Sequence, residues 1–259
     1  MSQQRETPPA DIPAGGRAKG ARPAWALALF AILALAGVAG LTTLGVWQLE
    51  RRVWKLDLID RVDARIHAAP VPAPGPDGWP GISAAGEEYR RVTASGRFLN
   101  DRETLVQAVS DLGGGFWVLT PLVTDRGFTV LVNRGFVPPD RRDPASRAGG
   151  LPAGEVTVTG LLRMTEPRGG FLRSNDPAAD RWYSRDVAAI AAARGLDRPA
   201  PYFIDADRTP NPGGWPAGGL TVVSFPNSHL SYALTWFALD LMLIGWIVYV
   251  VRTEWRRRR

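Results

Sequence analysis

His229 is one of only two histidines in the chain, and it stands where an apolar run, Leu230–Val251, begins. On a helix at 100° per residue, Tyr232 lies about 60°, Trp236 about 20° and Asp240 about 20° around the axis from His229. These four side chains therefore share one stripe. A neutral imidazole beside aromatic rings at the edge of an apolar segment suits the iron of a flat, apolar macrocycle. The competing reading is a polar interfacial side chain that snorkels toward water. Residue type and spacing leave both open. Asp240 poses a separate question, because a carboxylate near the middle of a spanning helix costs about 2.5–3.5 kcal/mol on insertion scales. It lies about 16 Å along the helix from His229, too far to share a metal atom. A protonated Asp240 in a helix–helix contact is expected, and a role in assembly with another membrane protein is the alternative.

A second set of candidates closes an earlier apolar run. Ala24–Val46 is uncharged throughout and is followed by Trp47-Gln48 and Arg51-Arg52. As a helix this run measures about 34 Å, enough to cross a hydrocarbon core of about 30 Å. Trp25, Trp47, Tyr232 and Tyr249 fall near the ends of the two runs, where aromatic belts form. The first run exceeds the usual core of a secretory signal and ends without small residues suited to cleavage, so an uncleaved anchor is expected. Two antiparallel spans bring Trp47, Gln48, Arg51 and Arg52 to the same side as His229. Arginines there can hold carboxylates such as haem propionates through charge-assisted forks. They can equally serve as interface anchors.

Charge sets the expected orientation. Residues 1–23 carry Arg5, Arg17, Lys19 and Arg22 against Glu6 and Asp11, and residues 252–259 carry five arginines against Glu254. With an overall charge of +6, the stretch 24–251 is neutral. Short basic tails stay cytoplasmic while a long loop crosses largely regardless of its own charge. The expected layout is a disordered tail at 1–23, spans at 24–46 and 229–251, an external domain at 47–228 and a basic cytoplasmic tail at 252–259. The arginine run at the end invites a nucleic-acid reading, but no basic domain stands behind it, so no nucleic-acid partner is expected.

Much other chemistry is excluded. The chain has no cysteine, which removes disulfides, thiolate metal sites and Cys nucleophiles, and two histidines cannot build a multi-His centre. No G-x-S-x-G, P-loop, H-E-x-x-H or G-x-G-x-x-G motif occurs. Asp205 and Asp207 read as solvated carboxylates at a strand edge. No catalytic residue and no metal site other than a haem iron on His229 is expected, although a membrane-tethered hydrolase built from scattered residues is a further alternative.

The external domain reads as β-rich. Val53–His67 continues the first span as an amphipathic helix and ends before Pro70–Pro80, which proline content keeps from being helical. Tyr89–Phe98, Glu103–Val109, Phe116–Thr124, Phe128–Val137, Glu155–Met164, Tyr202–Asp207 and Leu220–Phe225 are β-branched or aromatic runs bounded by turn residues. Asp125-Arg126-Gly127 joins two of them as a tight hairpin, and Gly113-Gly114-Gly115 reads as a turn. One Ala-rich helix runs from Ser184 as N-cap to Gly195 as stop. The fold class is membrane α+β: two transmembrane helices flank a mostly antiparallel sheet or small barrel with one or two helices.

The segment LGVWQLERRVWKLDLIDRV resembles the opening motif of the surfeit locus protein 1 family, assembly factors of cytochrome c oxidase. The likeness continues through YRRVTASGRFLNDRETLV, GGGFWVLTPL, GFTVLVNRGFVP, VTVTGLLR and PYFIDAD to GGLTVVSFPNSHLSYALTWFALDLM. It implies a two-span protein of the bacterial inner membrane with a periplasmic domain, both termini cytoplasmic, that binds haem a transiently. It implies that the haem is passed to oxidase subunit I, and it names haem A synthase as a candidate partner besides the bilayer. His229 matches the histidine of the family's N-x-H-L motif and Trp236 the tryptophan that follows on the same face. These two carry over as the haem-contacting pair, with Tyr232, Arg51, Arg52, Trp47 and Gln48 as further candidates. Asp240 departs from the small or apolar residue usual there. The alternative function is a cofactor-free scaffold that holds oxidase subunits. A single cysteine placed within Pro70–Pro80 should react with a membrane-impermeant reagent on intact spheroplasts; labelling only after lysis would overturn the orientation.

Overall fold

The computed structural model describes residues 23–170 and 172–259. The segment expected to be disordered lies outside them as far as residue 22. The chain forms two compact units, one from the residues up to Lys55 together with Asn227–Arg259, the other Leu56–Pro226.

The first unit is a pair of helices, the leading part of α1 (Ala24–His67) and α4 (His229–Arg258). Both are long and apolar enough to cross a membrane. Ile32, Leu33, Leu35, Leu234, Leu241 and Met242 are exposed, which a helix in a soluble core does not allow and a lipid-facing one requires. The helices run antiparallel, since Phe30 meets Trp246 edge-on at 5.3 Å between ring centroids and Thr42 meets Asp240. Small residues set their separation. A Cβ on Gly45 would fall within 2.9 Å of three ring atoms of Phe237, so only glycine lets the backbones approach here. Ala34 and Ala233 are buried in the same seam. Asp240 lies in the helix–helix contact, 7% exposed, and accepts a hydrogen bond from Thr42 Oγ1 at 2.6 Å.

In the second unit, α1 continues to His67, beyond which the prolines forbid an α-helix. That stretch holds strand β1 (Val71–Pro72) and a short 3₁₀ helix at Pro76–Gly81, where the proline that opens the first turn lacks only an N–H that would be unpaired anyway. A short helix α2 (Ala84–Glu87) follows, capped by the Ser83 hydroxyl, which accepts from Gly86 N. Then come β2 (Arg91–Phe98), β3 (Thr104–Ser110), β4 (Gly113–Thr124), β5 (Thr129–Val137), β6 (Glu155–Met164), the two-residue β7 (Gly169–Gly170) and β8 (Arg173–Ser174), helix α3 (Val187–Ala193) and β9 (Pro199–Ala206).

The sheet order is β1-β2-β6-β9-β5-β4-β3, and β4 also pairs with β2 through Gly96↔Thr124, Arg97↔Val123 and Phe98↔Leu122. Strands β2, β6, β9, β5 and β4 thereby close into a five-stranded barrel, antiparallel except for β5 beside β9. Closure brings the backbone of β4 onto Gly96, where any Cβ would run into Val123 O. Alternation divides the side chains. Val92, Ala94, Leu122, Val130, Val132, Leu162, Tyr202 and Ile204 pack together as the barrel core. The opposite face of β4, β5 and β9 presents Leu119, Leu131 and Phe203, which α3 and Trp182 cover through Val187 and Ile190.

Three expectations need correction. Leu220–Phe225 forms no strand; Ala217 ahead of it bridges to Phe136, and Thr221 donates its hydroxyl to Asp205 Oδ2 at 3.1 Å rather than joining a ladder. Gly113-Gly114-Gly115 lies inside β4, opposite Val109 and Ala108 of β3, so the hairpin loop is Asp111-Leu112 alone. Helix α3 is capped by Asp186, which accepts from Ala189 N at 3.2 Å, while the Ser184 hydroxyl oxygen accepts from Gly169 N and Asn175 Nδ2, each at 3.0 Å. The Asp125–Gly127 hairpin stands as expected, with Gly127 at φ +75°. Removing the packed methyl groups of Leu162 at the barrel centre (Leu162→Ala) should cost about 2–5 kcal/mol, read from urea unfolding in mild detergent; a midpoint equal to that of the parent protein would contradict the barrel core.

Candidate functional site

His229 is the first residue of α4, and its ring comes to Gln48, three residues past Gly45 on α1. His229 Nδ1 lies 2.7 Å from Gln48 Oε1. An amide oxygen only accepts, so Nδ1 is the donor, and the tautomer with its proton there carries its lone pair on Nε2. The ring is half-buried. Because Gln48 and Gly45 are one turn apart, the glycine contact with Phe237 and the Gln48–His229 bond belong to one seam.

The other candidates are arranged unequally. Trp236 is half-buried, and its indole Nε1 is buried without a hydrogen-bond partner among the described residues. Tyr232 is exposed, as is Trp47. Arg51 stacks its guanidinium 4.1 Å from the Trp54 ring centroid, a local arrangement that fits an interfacial anchor. Arg52 is half-buried and forms no ion pair among the described residues. Thus Gln48 and His229 are joined directly, while Trp47, Arg51, Arg52, Tyr232 and Trp236 surround them in sequence without touching the imidazole by a hydrogen bond. His67 is remote in role: exposed at the end of α1, it pairs with Asp63 at 3.3 Å. Among the described residues no three His, Asp or Glu converge as metal ligands.

A second polar constellation, in the barrel unit, differs from what the sequence suggests. Asp205 is not solvated; it is 3% exposed. Its Oδ1 accepts from Asn133 Nδ2 at 2.7 Å and Arg185 Nη1 at 3.1 Å, and its Oδ2 from Arg163 Nη1 at 2.9 Å and Thr221 Oγ1 at 3.1 Å. Arg185 also forks onto Glu166, with Nη2 2.5 Å from Oε1 and Nε 3.0 Å from Oε2. Arg163 reaches Glu88 at 3.4 Å. Burial pushes the Glu166 carboxyl up, but its bonds to Arg185 outweigh that and hold it below its ordinary value. For Arg185, Asp205 and Glu166 likewise outweigh burial and raise the guanidinium. A cavity of about 410 Å³ opens beside these groups, lined also by Trp117 and Thr221. Its arginines already face acids, so the cluster works as a cross-brace.

With this geometry in place, comparison with known proteins is decisive. The SURF1 family model matches residues 35–241, and Surfeit locus protein 1 of Homo sapiens is 39% identical over 214 residues, covering 76% of this chain and 69% of the relative. The chain belongs to the SURF1 family. Surfeit locus protein 1 of Rattus norvegicus is 39% identical over 212 residues, with 76% of this chain and 67% of the relative covered. That of Takifugu rubripes is 35% identical over 213 residues, covering 76% and 86%. The SURF1 match takes in the helix seam with Gln48, His229, Trp236 and Asp240, and the whole barrel.

Asp205 was hidden in the SURF1 sequence because PYFIDAD reads equally well as a strand with one polar edge. The signal lay in parity. Tyr202 and Ile204 face the core, so Asp205 shares the side of Phe203, which α3 covers. A carboxylate there needs buried cations, and β6 supplies Arg163. Since Glu166 is held below its ordinary 4.5, its pairing with Arg185 contributes stability in full above that pH and loses it as pH falls through the lowered value. Glu166→Gln should therefore be less stable than the parent protein near neutrality, with the gap shrinking as pH drops below 4.5. Chemical denaturation midpoints across that range test this, and a pH-independent gap would overturn it.

Proposed function

We propose that this chain is a cytochrome c oxidase biogenesis factor that takes up haem a at His229 and assists its insertion into oxidase subunit I. The observation that carries the reading is the Gln48–His229 hydrogen bond, which presents an imidazole with Nε2 free of any protein partner among the described residues. Haem a supplies an iron that accepts such a nitrogen. His229 would be its protein ligand, Trp236 and Tyr232 its aromatic neighbours, and Arg51, Arg52 and Trp47 the groups at the level of its carboxylates. The residues fit an apolar planar cargo: Trp47 and Tyr232 are exposed rings close in sequence to Gln48 and His229, and Trp236 keeps an indole N–H without a partner among the described residues.

Physical chemistry favours a membrane-anchored carrier for this cargo. Haem a bears a long isoprenoid tail, and holding it at the bilayer avoids passage through water. His229 would be the one histidine this site offers the iron, so a recipient's own ligand could take the cofactor over. The role is non-catalytic, located at the outer face of a bacterial inner membrane with both termini cytoplasmic, and haem A synthase is the natural donor.

A second reading, a cofactor-free scaffold gripping oxidase subunits, is favoured by exposed apolar side chains on the β3–β4 hairpin, where Val109 is 85% and Leu112 52% exposed. Such side chains are suited to a protein partner. Co-expression with the haem A biosynthetic enzymes, followed by pyridine haemochrome spectra of the purified protein, separates the two. His229→Ala should lose bound haem a, and Gln48→Ala should weaken retention about 10–100-fold, the usual effect of removing the partner that orients a ligating histidine. Equal haem content in all three proteins, with full oxidase assembly, would remove His229 as ligand and leave the scaffold.

A further inference from the structure

Strand β3 stands last in the sheet order, so one of its two edges has no neighbouring strand. Trp182 covers part of that edge, where Gln107 N donates to Trp182 O at 2.8 Å. Along an antiparallel strand, residues turn their backbone groups alternately to one side and the other. Since Gln107 turns its N–H away from β4, Val109, two residues on, does the same. The outward N–H and C=O of Val109 find no partner among the described residues, and its side chain is 85% exposed. An open stretch of edge of this kind is a template for one more strand.

A cavity of about 570 Å³ opens beside that edge, lined among others by Gln107, Val109, Gly114, Phe116, Arg173 and Tyr183, and no acid of the described residues lines it. The register sets Gln107 opposite Phe116 and Val109 opposite Gly114, so these four share one face. Two exposed cations flank it. Arg173 stands 5.3 Å from the Tyr183 ring centroid and donates from Nη1 to Gln107 Oε1 at 2.9 Å, and Arg142 stands 5.1 Å from the ring centroid of Phe116. Neither has a carboxylate within ion-pair distance among the described residues, because the acids near them in the chain are engaged elsewhere. Asp140 lies 3.8 Å from Arg141, Asp176 lies 2.7 Å from Arg181, and Asp143 accepts from Ala145 N at 2.9 Å. Asp111 lines the separate cavity beside Asp205. The glycine in the lining is informative. A Cβ on Gly114 would meet nothing within 4 Å, and its φ is not positive. Neither packing nor backbone conformation calls for glycine there, and its bareness keeps the cavity open.

We propose that this edge and cavity dock an extended, acidic segment of another polypeptide. Its backbone pairs with the N–H and C=O of Val109, and a carboxylate on the cavity face is held between Arg173 and Arg142 over Gly114. The argument uses the barrel unit alone, so it stands apart from the haem reading and applies whether or not haem is carried. The probe is a capped, fluorescent seven-residue peptide alternating valine and glutamate, with a valine–glutamine peptide as control. Each is titrated into the full chain in mild detergent and read by fluorescence anisotropy. The acidic peptide should bind saturably and about tenfold more tightly than the control, and the difference should vanish when Arg142→Gln and Arg173→Gln are combined. Gly114→Val fills the cavity from an uncrowded position, so it should keep the parent unfolding midpoint while weakening the acidic peptide about tenfold. Equal affinity for the two peptides in the parent protein, or unchanged affinity in Gly114→Val, would overturn the proposal. If neither peptide binds, and the double variant loses affinity for phosphatidylglycerol doped into the detergent or loses self-association, the patch belongs to lipid or to a second copy, and the proposal falls equally.

Discussion

The carboxylate of Asp205 joins more of the barrel unit than any core contact does. Its two oxygens accept from Asn133 on β5, Arg163 on β6, Arg185 ahead of α3, and Thr221 in the segment that leads toward α4. A buried ion pair adds little net stability compared with a well-packed apolar substitute, yet losing one partner is severe because the other charge is stranded. Such a cluster therefore acts as a specifier. The three elements that supply cations and amides can satisfy the carboxylate in one mutual register, and α3 then covers Phe203 and Leu131 in the only place available. Arg163 and Arg185 are further held over Tyr89 and Phe203 at 4.6 and 4.7 Å, which keeps the planar forks aimed.

The helix pair obeys different physics. In lipid the apolar side chains gain nothing from meeting one another, so close backbone approach and hydrogen bonding must hold the pair together. Gly45 against Phe237 supplies the first, and Thr42 with Asp240 the second. The cost of placing a carboxylate mid-helix is thereby turned into register. A slide of one helix along the other would strand Asp240 without Thr42 and drive the Phe237 ring into a position where no glycine receives it. The same register sets Gln48 beside His229.

How much of this was legible depends on how local each feature is. Both helices could be read from length and apolar content, and six of the seven expected strands from β-branched and aromatic runs bounded by turn residues, because burial on the core face, and on β4, β5 and β9 under α3 as well, selects such side chains. The Gln48–His229 pairing could be narrowed to one side of the membrane by topology but not to a hydrogen bond, since that needs the seam register. Leu220–Phe225 misled for a non-local reason: its composition is a strand's, but Thr221 is held by the side chain of Asp205 rather than by a neighbouring strand. Asp205 misled in the same way: it sits in a strand whose neighbours announce one face, and its own environment is made by residues far along the chain. Ser184 failed as a cap because Gly169 N and Asn175 Nδ2, 15 and 9 residues earlier, already donate to its hydroxyl oxygen.

For the proposed haem carrier, the choice of Gln48 as the partner of His229 would bear on release as well as on capture. A carboxylate hydrogen-bonded to a ligating imidazole raises its basicity and strengthens its grip on a metal. An amide oxygen fixes the same tautomer and the same ring orientation while adding no charge. The imidazole is thus pre-set to bind through Nε2, but without the extra electron density that suits permanent storage. A protein meant to keep its haem would gain from an acid at this position and from a second axial ligand. One meant to surrender it gains from neither, and the single histidine with a neutral partner is the arrangement that a transfer reaction favours.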